Sequence, residues 1–370
     1  MFRLQTPRIL QDLNKKMVFI TGPRQVGKTW LARHVAEHFE QPIYLNYDDF
    51  DDRRTIESRS WYRKADLLIF DELRKMKNWK NFIKGVYDKY GEQIKIIVTG
   101  SARLDTFRRS GDSLSGRYYL HRLLPFSFRE IQPRIQLEQL YERGGFPEPL
   151  LAESSIDANR WRNQYKDSLV RQEIADLGRV ADLRNMELLF ELLRRRVGSP
   201  VSYQSIARDM HVSAPTVKNY VDILESLFVV FRVSPYSRNI ARAIQKSPKL
   251  YFFDPGFVIG DEGARFENLV AVSLLKHLWA QNDYNGREMT LRYIRTKEGR
   301  EVDFCLCEQD TATELIEVKW RDTALDKNLK FFASQSGLSA IQVVYDFDTP
   351  KTIDAIDVVP AEQFLSRLEM

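Results

Sequence analysis

Cysteine is almost missing from this chain. Cys305 and Cys307, one residue apart, are the only two in 370 residues, which excludes a disulfide framework and suits a reducing compartment. A C-x-C pair is a poor metal signature on its own, so two inert thiols are expected. Long apolar runs are missing as well: no stretch of about 18 such residues occurs, and a membrane-spanning helix is not expected. The start Met1-Phe2-Arg3-Leu4-Gln5-Thr6 lacks the apolar core of a signal peptide, which makes the cytoplasm the expected location. No internal repeat or low-complexity segment stands out, so the chain reads as a compact string of distinct modules.

Neither sign of charge dominates. Lys and Arg number 56 against 51 Asp and Glu, a net charge of +5 that leans slightly towards a polyanionic partner. Hydrophobic residues at 43% and charged residues at 29% exclude a disordered chain. The length exceeds one ordinary core and suggests two or three domains.

What the chain does contain is Gly22-Pro23-Arg24-Gln25-Val26-Gly27-Lys28-Thr29, a full match to the phosphate-loop pattern G-x-x-x-x-G-K-[ST]. The apolar run Met17–Ile20 before it reads as a buried strand and Trp30–Ala36 after it as a helix, the context such a loop requires. Its glycines let backbone N–H groups turn inward around phosphates, and the helix N-terminus adds partial positive charge. Lys28 is then placed to reach the β- and γ-phosphates and Thr29 to hold Mg²⁺. ATP and Mg²⁺ are the expected cofactors. No guanine-selecting N-K-x-D stretch is present, which favours adenine.

Asp66-Leu67-Leu68-Ile69-Phe70-Asp71-Glu72 is an apolar strand ending in two carboxylates, the form of a Walker B segment. Asp71 is the expected Mg²⁺ ligand and Glu72 the base that orients and deprotonates the attacking water. A binding-only switch has no need of that second acid, so hydrolysis is favoured. Ile94–Ser101 is a further strand whose Thr99 or Ser101 could sense the γ-phosphate and the lytic water, although a Gly/Ser turn ends strands too. Pro42–Tyr47 and Arg117–Leu124 complete five strands alternating with helical segments, which calls for a parallel sheet covered by helices. Arg117, after Gly116, is a candidate transition-state arginine acting in cis or from a neighbouring subunit.

The run from Thr21-Gly22-Pro23-Arg24 through Asp71-Glu72, Thr99-Gly100-Ser101, Leu114-Ser115-Gly116-Arg117 and Leu124-Pro125-Phe126-Ser127-Phe128 resembles the prokaryotic AAA-type (AAA_14) ATPases that carry a C-terminal DUF4143 domain. The resemblance implies an ATPase sheet in which the Thr99 strand lies between the phosphate-loop and Walker B strands. It also implies a C-terminal domain similar to nuclease folds.

The chain reads as an α/β protein of four modules: a P-loop ATPase domain at 1–140, a helical connector at 141–199, a winged helix at 200–255 and a restriction-endonuclease-like domain at 256–370. Val201–Met210 and His211–Leu224 form helix, turn, helix, with Ser213 as cap, Pro215 in the first turn and Val217, Tyr220, Val221 and Leu224 on one apolar face. Thr216, Lys218 and Asn219 are left for solvent or a DNA groove. The strands Leu227–Arg232 and Lys249–Asp254 then read as a wing. Between Arg232 and Lys249 stand Arg238, Arg242 and Lys246 with no acidic residue, a candidate phosphate-contacting surface. DNA is therefore the expected partner. A winged helix can also serve packing or docking, which keeps a protein partner or a homo-oligomer open.

In the last third, Asp303 on one alternating strand, Glu317-Val318-Lys319 on the next and Glu267 on the helix Arg265–Val270 resemble the PD-(D/E)xK nuclease pattern. Glu267, Asp303 and Glu317 are candidate Mg²⁺ ligands, and Lys319 would position or activate the water. Glu317 and Lys319 are expected on one charged face and Ile316, Val318 and Trp320 in the core. Two amphipathic strands with charged outer faces give the same letters without chemistry.

Overall fold

The computed structural model describes residues 3–61, 64–101, 114–169, 174, 182–237 and 247–369. The chain divides into two compact units, Met1–Leu124 and Pro125–Met370.

The first unit is built on five strands, β1 (Met17–Gly22), β2 (Pro42–Asn46), β3 (Leu67–Asp71), β4 (Lys95–Ser101) and β5 (Tyr118–Arg122). They are all parallel, in the order β2-β3-β4-β1-β5. The expected position of the Thr99 strand, between the phosphate-loop and Walker B strands, is the one observed. Every residue of β1 and β3 is buried, which is why they read as unbroken apolar runs: a parallel sheet has both faces covered. Phe19, Phe70, Trp61, Trp79, Phe82 and Ile83 pack in the core. Because all strands run one way, their C-terminal ends share one edge, where ligands bind in such sheets. Gly22 pairs with Ser101 and Asp71 with Thr99 along that edge.

The second unit carries a mixed sheet. Its strands are β6 (Val230–Pro235), β7 (Lys249–Phe252), β8 (Met289–Arg295), β9 (Glu301–Glu308), β10 (Thr311–Lys319), β11 (Ser339–Val344), β12 (Lys351–Ile353) and β13 (Ile356–Pro360). Their order is β12-β13-β11-β10-β9-β8-β6-β7. The helix pair is present as Tyr203–Asp209 and Ala214–Ser226, capped by Ser202 and Ser213, with Val217, Tyr220, Val221, Ile223 and Leu224 buried. The strand after it is not a free-standing wing. β6 pairs antiparallel with β7, but its end, at Ser234 and Pro235, runs parallel to β8, so one sheet spans the helix-pair region and the C-terminal region.

A long helix, Glu262–Asn285, packs on β7, β8 and β10 and is buried on most of its circumference. Asn268 pins it to β7, donating to the Phe252 carbonyl and accepting from the Phe252 amide at 2.8 Å each. This helix explains a departure from the alternating pattern of β10: Glu317, expected on a solvated face, is buried. Cys305 and Cys307 are buried and reduced, 3.8 Å apart. Among the described residues no helix is long and apolar enough to cross a membrane.

Candidate active site

The phosphate loop leaves β1 at Gly22 and enters the helix Lys28–Ala36 through Gly27, whose φ of 96° an L side chain would resist. Gly22 has a different reason: a Cβ there would come within 2.0 Å of the Leu123 carbonyl oxygen. Lys28 Nζ sits in the curl of the loop, donating to the carbonyls of Gly22 at 3.1 Å and Pro23 at 2.6 Å. From outside, Arg3 holds the loop in shape. Its buried guanidinium donates to the carbonyls of Val26 at 2.7 Å and Leu124 at 3.0 Å. Hydrogen bonds from a charged donor are worth about 1.5–3 kcal/mol each. Arg3→Ala should therefore melt several degrees earlier and bind ATP about tenfold more weakly, read by thermal unfolding and nucleotide titration. Unchanged values would make the clamp idle.

Asp71 lies where β3 meets β4, and four donors converge on its carboxylate. Oδ2 accepts from Thr29 Oγ1 and from Tyr44 OH, both at 2.7 Å, and Oδ1 from the Glu72 amide at 3.0 Å and from the Thr99 hydroxyl. Burial, followed by the hydrogen bond to Asp71, raises the Tyr44 phenol above its ordinary range, so Tyr44 stays a donor. Arg33 lies 4.3 Å from the Tyr44 ring centre. The residues fit a magnesium ion. Thr29 Oγ1 and Asp71 Oδ2, 2.7 Å apart, nearly span the ~2.9 Å edge of an octahedron with 2.0–2.1 Å bonds.

Glu72 follows with a φ of 52°, a left-handed conformation that costs a side-chain-bearing residue about 1–2 kcal/mol. That turn takes Glu72 off the strand's alternation beside Asp71. Its Oε2 accepts from Arg74 Nε at 3.0 Å. Thr99 is fully buried and its hydroxyl donates to Asp71, a contact that orients the aspartate. The Ser101 side chain lies outside the described residues. Of the two roles expected for Arg117, in cis or from a neighbouring subunit, its position bears on the first. It precedes β5 at the edge where Met17 pairs with Tyr118, the end of the sheet opposite Gly22, and it is ion-paired with Asp88 at 2.8 Å. The direction of a parallel strand thus removes it from the phosphates of its own molecule.

The C-terminal constellation is assembled around a residue the sequence reading placed elsewhere. Glu267 and Asp303 are joined by Lys249, whose Nζ is 3.2 Å from Glu267 Oε1, 3.3 Å from Asp303 Oδ1 and 2.7 Å from Glu301 Oε1. Glu317 Oε2 accepts the Asp303 amide at 3.3 Å, and its Oε1 accepts Lys319 Nζ at 2.8 Å. Lys319 is also bound to Asp326 at 3.0 Å. Burial first and the Asp303 charge second push the carboxyl of Glu267 up to about 7 and that of Glu317 to about 8. A divalent ion does not fit here: Lys249 already supplies the positive charge. Among the described residues no three His, Cys, Asp or Glu side chains are arranged to hold a metal.

Lys249 is also lost to the basic surface expected between residues 232 and 249. So is Arg232, which donates to Tyr203 OH at 3.0 Å and is ion-paired with Glu225 and Asp222. Arg238, Arg242 and Lys246 lie outside the described residues. On the second helix Lys218 and Asn219 are exposed.

Residues 14–132 match the family model described as AAA domain, 134–260 one described as a domain of unknown function (DUF8612) and 262–364 one described as a domain of unknown function (DUF4143). An uncharacterized protein of Mycobacterium tuberculosis is 26% identical over 95% of this chain and 81% of its own length. One of Haemophilus influenzae is 26% identical over 70% and 74%. Among solved structures, a Walker-type ATPase of Pyrococcus abyssi is similar over 69% of this chain and 94% of its own, at 16% identity and a TM-score of 0.44. The chain thus carries an AAA domain, with a complete phosphate loop on a parallel sheet, followed by a DUF4143 domain.

Proposed function

We propose that the chain hydrolyses ATP in a Mg²⁺-dependent reaction with Glu72 as the base, and that the nucleotide state governs engagement of DNA by the helix pair. The observation that carries the reading is the meeting of Lys28, Thr29, Asp71 and Glu72 at one end of the parallel sheet, linked through the 2.7 Å hydrogen bond between Thr29 and Asp71. Loop N–H groups and the Lys28 ammonium bind the phosphate oxygens and hold the chain of phosphates in line. Thr29 and Asp71 would hold the ion, which when bound neutralises charge on the β- and γ-oxygens. Glu72 accepts the proton of the water that attacks the γ-phosphorus, the bond to the β-bridging oxygen breaks, and ADP and phosphate leave.

Arg74 donates to one oxygen of that base at 3.0 Å, which leaves that oxygen less free to take the proton of the attacking water. Arg74→Ala should therefore raise turnover about two- to fivefold. A fall would reassign Arg74 as the group that aims Glu72.

DNA engagement rests on the exposed Lys218 and Asn219 of the second helix. Duplex DNA should stimulate ATP turnover and bind with an affinity that falls with salt. Lys218→Ala should weaken it alike for all sequences and reduce the salt slope by about 1. No stimulation, together with no binding at low salt, would remove DNA from the proposal. The second reading is a nucleotide-controlled switch whose C-terminal half docks a protein, this chain included, and cuts nothing. It is favoured by the internal ion pairs of Arg232 and Lys249.

A further inference from the structure

We infer that the Lys249 ammonium is a built-in cation in the seat a divalent ion would take among these carboxylates, so that the nuclease-like constellation of the second unit binds no metal and cleaves no phosphodiester. The inference stands apart from the ATPase reading, which concerns the other unit.

An ammonium has three N–H donors and no acceptor. Lys249 Nζ is offered three carboxylates, at 2.7 Å from Glu301, 3.2 Å from Glu267 and 3.3 Å from Asp303, and its side chain is 1% exposed. Those acids come from two elements, β9 and the helix Glu262–Asn285, while the lysine comes from a third, β7. The cluster is therefore formed by folding and is not a chance cluster of neighbours in sequence.

The second oxygens of Glu301 and Asp303 are occupied too, and Glu267 Oε1 has a second donor. Glu267 Oε1 also accepts from Tyr251 OH at 2.6 Å, Glu301 Oε2 from Arg295 at 2.8 Å, and Asp303 Oδ2 from the Val318 amide at 3.1 Å. A magnesium ion requires six oxygens at 2.0–2.1 Å and keeps several waters. Here it would have to take the place of the Lys249 ammonium, a fixed positive charge that already lies among the three acids. The backbone closes the other side. A Cβ on Gly198 would stand 2.7 Å from Glu267 Oε2.

Lys249 consequently ties three elements together. β7 is the last strand in the sheet order, beyond β6, and its ammonium reaches β9 and the long helix. The letters of a metal nuclease are retained while the charge that would have been the metal's is supplied covalently.

The test uses the full chain in an Asp71→Asn background, which removes the metal ligand of the phosphate loop, and Mn²⁺ without nucleotide, followed by calorimetry and the electron spin resonance of free Mn²⁺. With Lys249 present, no Mn²⁺ binding that depends on Asp303 is expected, and supercoiled plasmid is nicked equally by this protein and by its Asp303→Asn derivative. Lys249→Met should gain Mn²⁺ affinity at least about tenfold, with a matching rise in melting temperature, and adding Asp303→Asn should abolish both. Mn²⁺ binding or nicking that needs Asp303 while Lys249 is in place would overturn the inference. So would a folded Lys249→Met protein without affinity for Mn²⁺. Failure of Lys249→Met to fold would agree with a structural cation, and the pair differing only at Asp303 would still decide about the metal.

Discussion

Glu72→Gln should lower ATP turnover about 10²–10³-fold and leave nucleotide affinity within about twofold. The amide keeps the size and the hydrogen-bonding reach of the acid but cannot accept the proton of the attacking water. Nothing that holds the phosphates is altered, because Lys28 is anchored on the carbonyls of Gly22 and Pro23, and Thr29 and Asp71 remain bonded to each other. A single-turnover assay beside equilibrium binding separates the two quantities. Full turnover by the variant would show that the base is another group and that the left-handed conformation of Glu72 serves only the turn.

Lys28→Ala should act on the other quantity. The ammonium sits within the curl of the loop, and two charge-assisted contacts to phosphate oxygens are worth about 1.5–3 kcal/mol each. Affinity for ATP should fall about 10²-fold or more, with turnover lost alongside. AMP, which lacks the β- and γ-phosphates, should be bound as weakly by the variant as by the wild type. The contrast between nucleotides is the diagnostic measurement: an equal loss for ATP and AMP would mean that the substitution has disturbed the loop and that the charge itself is not what binds.

The parts of this site that could be read from the chain are those in which chemistry forces neighbouring residues. A loop that wraps phosphates needs its glycines, lysine and threonine side by side, and a metal-binding strand needs its acids at the end of an apolar run. Asp71, Glu72 and the parallel sheet followed from such local constraints. Arg3 and Tyr44 were out of reach because each acts over a distance in sequence: Arg3 meets Val26 and Leu124, and Tyr44 meets Asp71. No local spacing marks either one. The misplacement of Lys249 has a different origin. It sits in β7, a strand buried on both faces, where alternation says nothing about the direction of a side chain, so a single positive letter in a basic stretch looked solvated. Arg117 did carry a signal. Once the strands are parallel, a residue before β5 must stand at the edge away from the phosphate loop.

One arginine near the start of the chain gives the nucleotide an address. Arg3 grips the Val26 carbonyl of the loop and the Leu124 carbonyl, the last residue of the first unit, with the same guanidinium, and the Leu123 amide is bonded to Thr21 at 2.7 Å. A few tenths of an ångström of movement in the cradle as a triphosphate becomes a diphosphate would tug directly on the peptide by which the chain departs. Amide hydrogen exchange at residues 123 and 124 should therefore differ between the triphosphate- and diphosphate-bound states.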